Sequence, residues 1–492
     1  MKPQLLKGSL WISGARVTAN FLNFVGMLVL ARILVPEDFG LVALGTAILV
    51  IVTAVTDIPV AEALVQHREP TPDHFHAAWT LGLLRAVLVA LVCVVIAHPL
   101  ARFYEDPRLA NVVLALGAYA FLAGLNNPRA IMLTKELIFW QQFMLQVAQK
   151  LVGLIVTVTL AIHYQSYWAL IIGTVAGQFA NTLISYSVLP FRPRVRLKHS
   201  RELLSFSIWL TLSKIINTIN WNVDQLLIGT FAGKTELGHY AIGNNLASLP
   251  TREVSEPLIT TLFPAFSRMN DQPERLSAAY QSAQSFLVAI VWPIGIGMAL
   301  IADPLVRLTM GEKWLPIVVL VQILAPVFAF QAIGNVAQPL AMATGHTASV
   351  FRRDLKIFLF RVPIILLGMY YGGFMGVVWA RSFTGTVGTI FNLNVVRDIT
   401  GLSLVDQMRP NTRTLLGSVS MVAAVWLLNA SWTTRSDWTG LLTHLLASMA
   451  VGFLAYAATV WISWRVMGSP VGPETELIKI AGMLRKVARP AT

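Results

Sequence analysis

The sequence predicts an all-α polytopic membrane protein of about fourteen transmembrane helices, and three observations predict it. Apolar residues make up 55% of the 492-residue chain and charged residues only 12%, about half the usual charged share of a soluble domain. Mean hydropathy is +0.65. Largely apolar runs of ~20 residues, the length that crosses the hydrocarbon core of a bilayer, recur from one end of the chain to the other. Cys93, the single cysteine, sits inside one of these runs, which excludes a disulfide framework and a cysteine-based metal site.

In chain order the runs place spans at 9–33, 39–62, 75–98, 109–131, 138–162, 166–189 and 203–231, then 236–262, 276–301, 314–343, 354–372, 374–397, 412–430 and 437–463. Nothing at the start resembles a cleavable signal peptide, so the first span is expected to serve as its own anchor. The connections are too short for a soluble domain. Orientation follows from the basic residues. With the N-terminus inside, inner segments hold about 23 Lys and Arg, among them Arg192, Arg194, Arg196, Lys198, Arg352, Arg353 and Arg409, and outer segments about seven. The expected topology has both termini in the cytoplasm. This asymmetry accounts for most of the +13 net charge, with no need of nucleic acid. A basic tail, 466–492, follows, in which Glu474 to Val487 reads equally as an amphipathic helix or as a disordered segment.

The chain also repeats. Shifted by 198 positions, Trp11 meets Trp209, Arg16 meets Lys214, Gly40 meets Gly238, Ala43 meets Ala241, Gly45 meets Gly243 and Pro59 meets Pro257. At offset 205, residues 98–103 meet 303–308. Six spans separate the copies, so equivalent helices cross in the same direction. The expected architecture is a parallel repeat: an N-lobe at 1–200, a C-lobe at 201–400 and two further helices at 401–465. Transporters built this way carry substrate between lobes that rock.

Charge inside the spans points to function. Arg85, Lys150, Lys214 and Arg252 each lie ten or more residues from a span boundary and Arg16 lies seven from the start of its span; a cation at a helix centre costs roughly 2.5–3.5 kcal/mol on the insertion scale. Arg361 and Arg381 lie about a third of the way into their spans, where snorkelling can serve them, and read as structural. Polar stripes accompany the central cations: Ser13, Asn20 and Asn23 beside Arg16, Thr211, Asn217 and Thr218 beside Lys214, Gln142, Gln146 and Gln149 beside Lys150. Asn, Gln, Ser and Thr in such stripes read first as hydrogen-bonding glue between helices. The cations outnumber the comparably deep acids, Asp57, Asp224, Glu253 and Glu256, and that excess suggests an anionic cargo, phosphate or diphosphate above all. Asp57, Asp224 and Glu256 permit coupling to protons or sodium without demanding it; Arg252 and Glu256 are spaced as an i, i+4 pair. No other cofactor is expected.

Other signals lead nowhere. Gly229 to Thr235 falls one residue short of a phosphate-binding loop. His67, His74 and His76 match no zinc spacing and read as surface residues. Glu37 and Asp38 invite comparison with the catalytic acid of membrane glycosyltransferases, but the long outer loops of such enzymes are missing. No enzyme activity is expected.

The strings Lys7-Gly8-Ser9-Leu10-Trp11 and Leu30-Ala31-Arg32-Ile33-Leu34-Val35-Pro36-Glu37-Asp38-Phe39-Gly40 resemble the opening of the Wzx-type polysaccharide transporter branch of the multidrug/oligosaccharidyl-lipid/polysaccharide flippase superfamily. The second half is similar at Asp224 to Gly229, Leu237 to Tyr240, Pro250 and Leu262 to Arg268. The resemblance, over about residues 7–400, implies a bacterial inner-membrane flippase for undecaprenyl-diphosphate-linked oligosaccharides of exopolysaccharide, O-antigen or capsule. It further implies two lobes, a cationic central cavity with Arg16 and Lys214 in the matching first helices, membrane lipids as surroundings, and a polysaccharide polymerase and chain-length regulator as partners. The proposed site comprises Arg16, Lys214 and Arg252, then Arg85 and Lys150, lined by Asn20, Asn23 and Asn217. Drug exporters of the superfamily typically carry a carboxylate in the first helix, where Arg16 stands here. The alternatives are a drug or small-cation exporter of the same fold and a membrane glycosyltransferase or polymerase.

Overall fold

The computed structural model describes residues 2–57, 60, 64, 70–135, 139–198, 200, 208–432, 437–470 and 472–475; the side chains of 2–13, 15–17, 134, 135, 139, 142 and 208–211 lie outside that description. Among the described residues every regular element is helical. The helices are α1 (Lys2–Ile33), α2 (Pro36–Val55), α3 (Pro72–Phe103), α4 (Pro107–Gly124), a short α5 (Ala130–Lys135), α6 (Phe139–Tyr164), α7 (Trp168–Val188) and α8 (Ile208–Phe231). There follow α9 (Lys234–Ser267), α10 (Pro273–Leu300), α11 (Ala302–Thr309), α12 (Pro316–Gln331), α13 (Ala337–Ala343), α14 (Thr347–Thr400), α15 (Leu404–Met408), α16 (Thr412–Ser431) and α17 (Trp438–Val466).

Local chemistry sets the starts. Proline occupies the first position of α2, α3, α4, α10 and α12, where its missing N–H is no loss and its fixed φ suits a helix. Side chains cap several of these ends. Asp38 accepts from the Val35 N–H at 3.3 Å, and Asp106 accepts from the Arg108 N–H at 2.8 Å. His74 Nδ1 accepts from the Thr71 N–H at 3.2 Å. His74 is thus a buried cap at 3% exposure, not the surface residue its sequence setting suggests.

Ten described helices are long and apolar enough to cross a membrane. One of them, α14, is two spans: Gly373, at φ 54°, breaks it, at the boundary expected between the spans at 354–372 and 374–397. The two halves return on each other so closely that a Cβ at Gly376 would lie 1.9 Å from the Gly368 carbonyl oxygen. Helices α1, α8 and α9 are comparably long but more polar, and with them the arrangement is consistent with fourteen crossings. Three expected spans change shape. The helix of span 39–62 ends at Val55, with Pro59 close behind in sequence. Span 109–131 ends at Gly124, because Asn127 and Pro128 turn the chain before α5. Span 314–343 is interrupted by a 3-10 turn at Ala332–Gly334.

By contacts the chain divides into Met1–Ala241 and Ile242–Thr492. In the first unit α3 lies along α4, α6 along α7 and α1, and α2 against α4 and α8. Helices α2 and α9 begin at Pro36 and Lys234, positions that the 198-residue offset equates, and they begin side by side. A Cβ at Gly40 would stand 1.8 Å from the Lys234 carbonyl oxygen, and one at Gly238 1.8 Å from that of Pro36. No residue but glycine fits either place. In the second unit α10 packs on α12 and α16, α12 on α14, and α16 along α17. Its core joins Tyr280, Leu287, Trp292, Ile333 and Leu393. Arg413 at the start of α16 holds Glu474 by two bonds, Nε to Oε1 at 2.9 Å and Nη2 to Oε2 at 3.0 Å. The remainder of the expected 474–487 helix lies outside the described residues.

Candidate substrate site

Two of the central cations meet on one carboxylate in the first unit. Asp57 leaves the C-terminus of α2 with its N–H still bonded to the Ala54 carbonyl at 3.3 Å. Arg85 stands on α3, thirteen residues and roughly 20 Å from the Pro72 end. Its Nη2 lies 2.9 Å from Asp57 Oδ1 and donates to the Thr53 carbonyl at 2.9 Å. From α8, Lys214 Nζ donates to the other oxygen, Oδ2. The Asp57 side chain is 14% exposed, that of Arg85 29% and that of Lys214 56%. Two positive groups thus share one negative one, and the more accessible member of the cluster is a cation. The Arg85 Nε is buried and makes no hydrogen bond among the described residues.

The sequence reading leaves Arg85 and Lys214 unpaired and assigns Asp57 a separate coupling role; the structure joins all three. Lys150 lies exposed on α6, and no carboxylate lies within ion-pair distance of it among the described residues. One turn beyond it on α6, Leu154 meets Gly26 of α1, where an added Cβ would come within 2.6 Å of Leu154 Cδ1. Asn23, one turn before Gly26, is exposed, and Asn20 is half-buried. Arg16 lies in α1, but its side chain is outside the described residues. Asn217 is exposed on α8. Arg252, on α9 in the second unit, is exposed, with its Nε 3.7 Å from Glu253 Oε1. Glu256 is exposed one turn further on. Asp224 is 1% exposed and accepts a hydrogen bond from the Tyr240 hydroxyl.

Much of the remaining polarity is glue. Gln149 Nε2 donates to Gln178 at 3.3 Å, and Gln178 donates to Asn126 at 3.0 Å. Thr182 donates to the same Asn126 oxygen at 2.8 Å. This network ties α6 and α7 to the end of α4. Arg381 is 3% exposed and lies 5.5 Å from the Phe328 ring centre, a packed position that suits its structural reading. The near-miss phosphate loop is accounted for. Gly233 makes the turn at φ +90°, and Lys234 Nζ sits 2.7 Å from Asp106 Oδ2. Asp106 also bonds the Arg108 side chain, which in turn reaches Glu37. Burial raises the Asp106 carboxyl, but the Arg108 and Lys234 side chains and the Arg108 N–H outweigh it and hold the group at about 2. Glu37 and Asp38 therefore serve an ion pair and a helix cap.

The profile of one family, described as polysaccharide biosynthesis protein, matches residues 29–319, more than half of the chain. The chain belongs to the polysaccharide biosynthesis protein family. Among relatives of this polysaccharide biosynthesis protein, the lipopolysaccharide biosynthesis protein WzxC of Escherichia coli (strain K12) is 26% identical over 406 residues, 80% of this chain and 81% of its own length. Among solved structures, the lipid II flippase MurJ in an inward closed conformation superimposes with a TM-score of 0.75 at 16% identity, covering 94% of this chain and 99% of its own. An inward-facing MATE multidrug transporter of the MOP superfamily gives 0.63 at 13% identity, covering 79% and 98%. At these identities the likeness shows the fold. It is the multi-pass, all-helical fold expected from the sequence.

Proposed function

We propose that this protein is a flippase that carries a diphosphate-linked oligosaccharide, on an undecaprenyl-type lipid, across the bacterial inner membrane by alternating access and without covalent chemistry. The observation that carries this reading is the Asp57–Arg85–Lys214 cluster, net positive within the membrane-spanning helices of a polysaccharide biosynthesis protein. A cation cluster of this kind opposes a cationic drug and favours phosphate. The cluster also suggests how it rests without cargo. Asp57 supplies the counter-charge, and an arriving diphosphate, with more charge and more acceptor oxygens, takes over Lys214 and the free side of Arg85. Arg16 and Lys150 extend the positive path along α1 and α6, and Asn20, Asn23 and Asn217 meet sugar hydroxyls. Arg252 plays the corresponding part in the second unit, while Asp224 and Glu256 are candidates for proton or sodium coupling.

Both termini lie in the cytoplasm in this reading, and a polymerase with its chain-length regulator receives the product on the far side. Charge reversal tests it. With Lys214→Glu and Arg16→Glu combined, polymer at the cell surface should fall at least tenfold while lipid-linked intermediate accumulates on the inner face, at unchanged protein level in the membrane. Lys214→Arg should retain export. Normal export by the double mutant would overturn the cationic site.

A further inference from the structure

The connection between α7 and α8 carries Arg192, Arg194, Arg196 and Lys198 at alternate positions, with Pro193, Val195 and Leu197 between them. It has no helical or strand pairing over 190–197, yet it is fastened along its length. Asn127 Nδ2 donates to the Leu189 carbonyl at 2.6 Å and Arg129 Nη1 to that of Pro190 at 2.8 Å. The Phe191 ring stacks on His76, centres 5.2 Å apart, and the Arg129 guanidinium lies 5.5 Å from the same ring centre. The Arg194 N–H donates to His76 Nδ1 at 3.2 Å, and the Arg196 N–H to Thr80 Oγ1 at 3.0 Å.

Arg196 and Lys198 both reach Asp73, near the start of α3, at 2.5 and 3.6 Å. Alternate residues of an extended chain face opposite ways, which sets Val195 and Leu197, 74% and 54% exposed, across the chain from Arg196; every residue from 192 to 198 is exposed. Arg192 and Arg194 are exposed and have no carboxylate within ion-pair distance among the described residues. Counting Arg129, five cations gather here, and among the described residues the one carboxylate that pairs with them is Asp73. The segment follows directly on a span that ends at Val188, which sets it at the membrane surface. An exposed apolar row beside cations that have no carboxylate partner among the described residues is what an interfacial segment needs: the row enters the boundary of headgroups and acyl chains, and the cations take the phosphates above it.

We propose that residues 190–198 form a strap lying in the headgroup layer, with Val195 and Leu197 sunk toward the acyl chains and Arg192 and Arg194 holding anionic phospholipid. The test needs no transport assay, so its result stands apart from that of the proposed flippase activity. Single cysteines at Arg194, Val195 and Leu197, in a Cys93→Ala background, are spin-labelled and reconstituted in phosphatidylcholine vesicles with and without phosphatidylglycerol. Labels at 195 and 197 should favour oxygen over a water-soluble nickel chelate as relaxation agent, and the label at 194 the reverse. In native mass spectrometry of the full chain, Arg192→Glu with Arg194→Glu should lower retained phosphatidylglycerol by about fivefold or more, from ~1 kcal/mol per basic residue near the surface. Equal nickel access at all three positions, or undiminished lipid retention in the double variant, would overturn the strap. So would labels that ignore phosphatidylglycerol and respond only to an added lipid-linked diphosphate, because the segment would then belong to substrate entry.

Discussion

Asp57 holds two cations that approach from different helices, so its replacement is felt twice. Asp57→Asn leaves Arg85 and Lys214 facing each other without a counter-charge and should lower the melting temperature in detergent, whereas Lys214→Ala alone should be milder because that side chain is more than half exposed. A double-mutant cycle on the pair is expected to give a coupling of about 1 kcal/mol, toward the lower end of the range for contacting residues because of that exposure. A coupling near zero in thermal melts would show that the pair is not made. The sequence makes the separate ingredients legible: a basic residue deep in an apolar run is expensive, and it names Arg85 and Lys214 without help. Their partner is a different matter. Lys214 and Asp57 are 157 residues apart, and no local period links them. The same holds for Lys234, whose place in a near-miss phosphate loop says nothing of Asp106.

Among the elements, the tight glycine crossing of α2 and α9 is the sharpest constraint. Gly40→Ala should destabilise the fold by about 1–3 kcal/mol, the range for overpacking, since the added methyl meets a backbone carbonyl that no rotamer can move aside. Gly297 in α10 has nothing within 4 Å of an added Cβ, so Gly297→Ala should be neutral or stabilising by up to ~1 kcal/mol. Equal melting temperatures for the two variants would contradict the crossing. Helix existence was legible from hydropathy, and the break at Gly373 fell where the apolar runs divide. Helix ends were less so. Val55, Gly124 and the turn at Ala332–Gly334 interrupt runs that hydropathy alone continues, because an apolar side chain records the membrane and not the backbone's hydrogen bonds.

For the whole molecule, the ion pairs at the connections around residues 37, 106 and 234 predict a response to acid. The Asp106 carboxyl is held at about 2, below the ~3.9 of an unfolded aspartate. The stability it contributes is therefore fully present above about pH 4 and is lost as pH falls through about 2. The wild type should melt a few degrees above Asp106→Asn at neutral pH, and thermal scans should show the gap closing between about pH 4 and 2; a gap that persists unchanged at the acid end would refute the assignment. A 198-residue offset is legible in the chain, and at glycines 40 and 238 the two positions it pairs also stand side by side. Each is the other's counterpart at that offset and its neighbour in space. A contact of this kind is isologous, the form in which one surface patch meets a copy of itself. The two positions therefore do not vary as independent letters: once a side chain at either one has pushed the helix starts apart, a second at the other meets space already opened, so the double substitution should cost less than the sum of the singles.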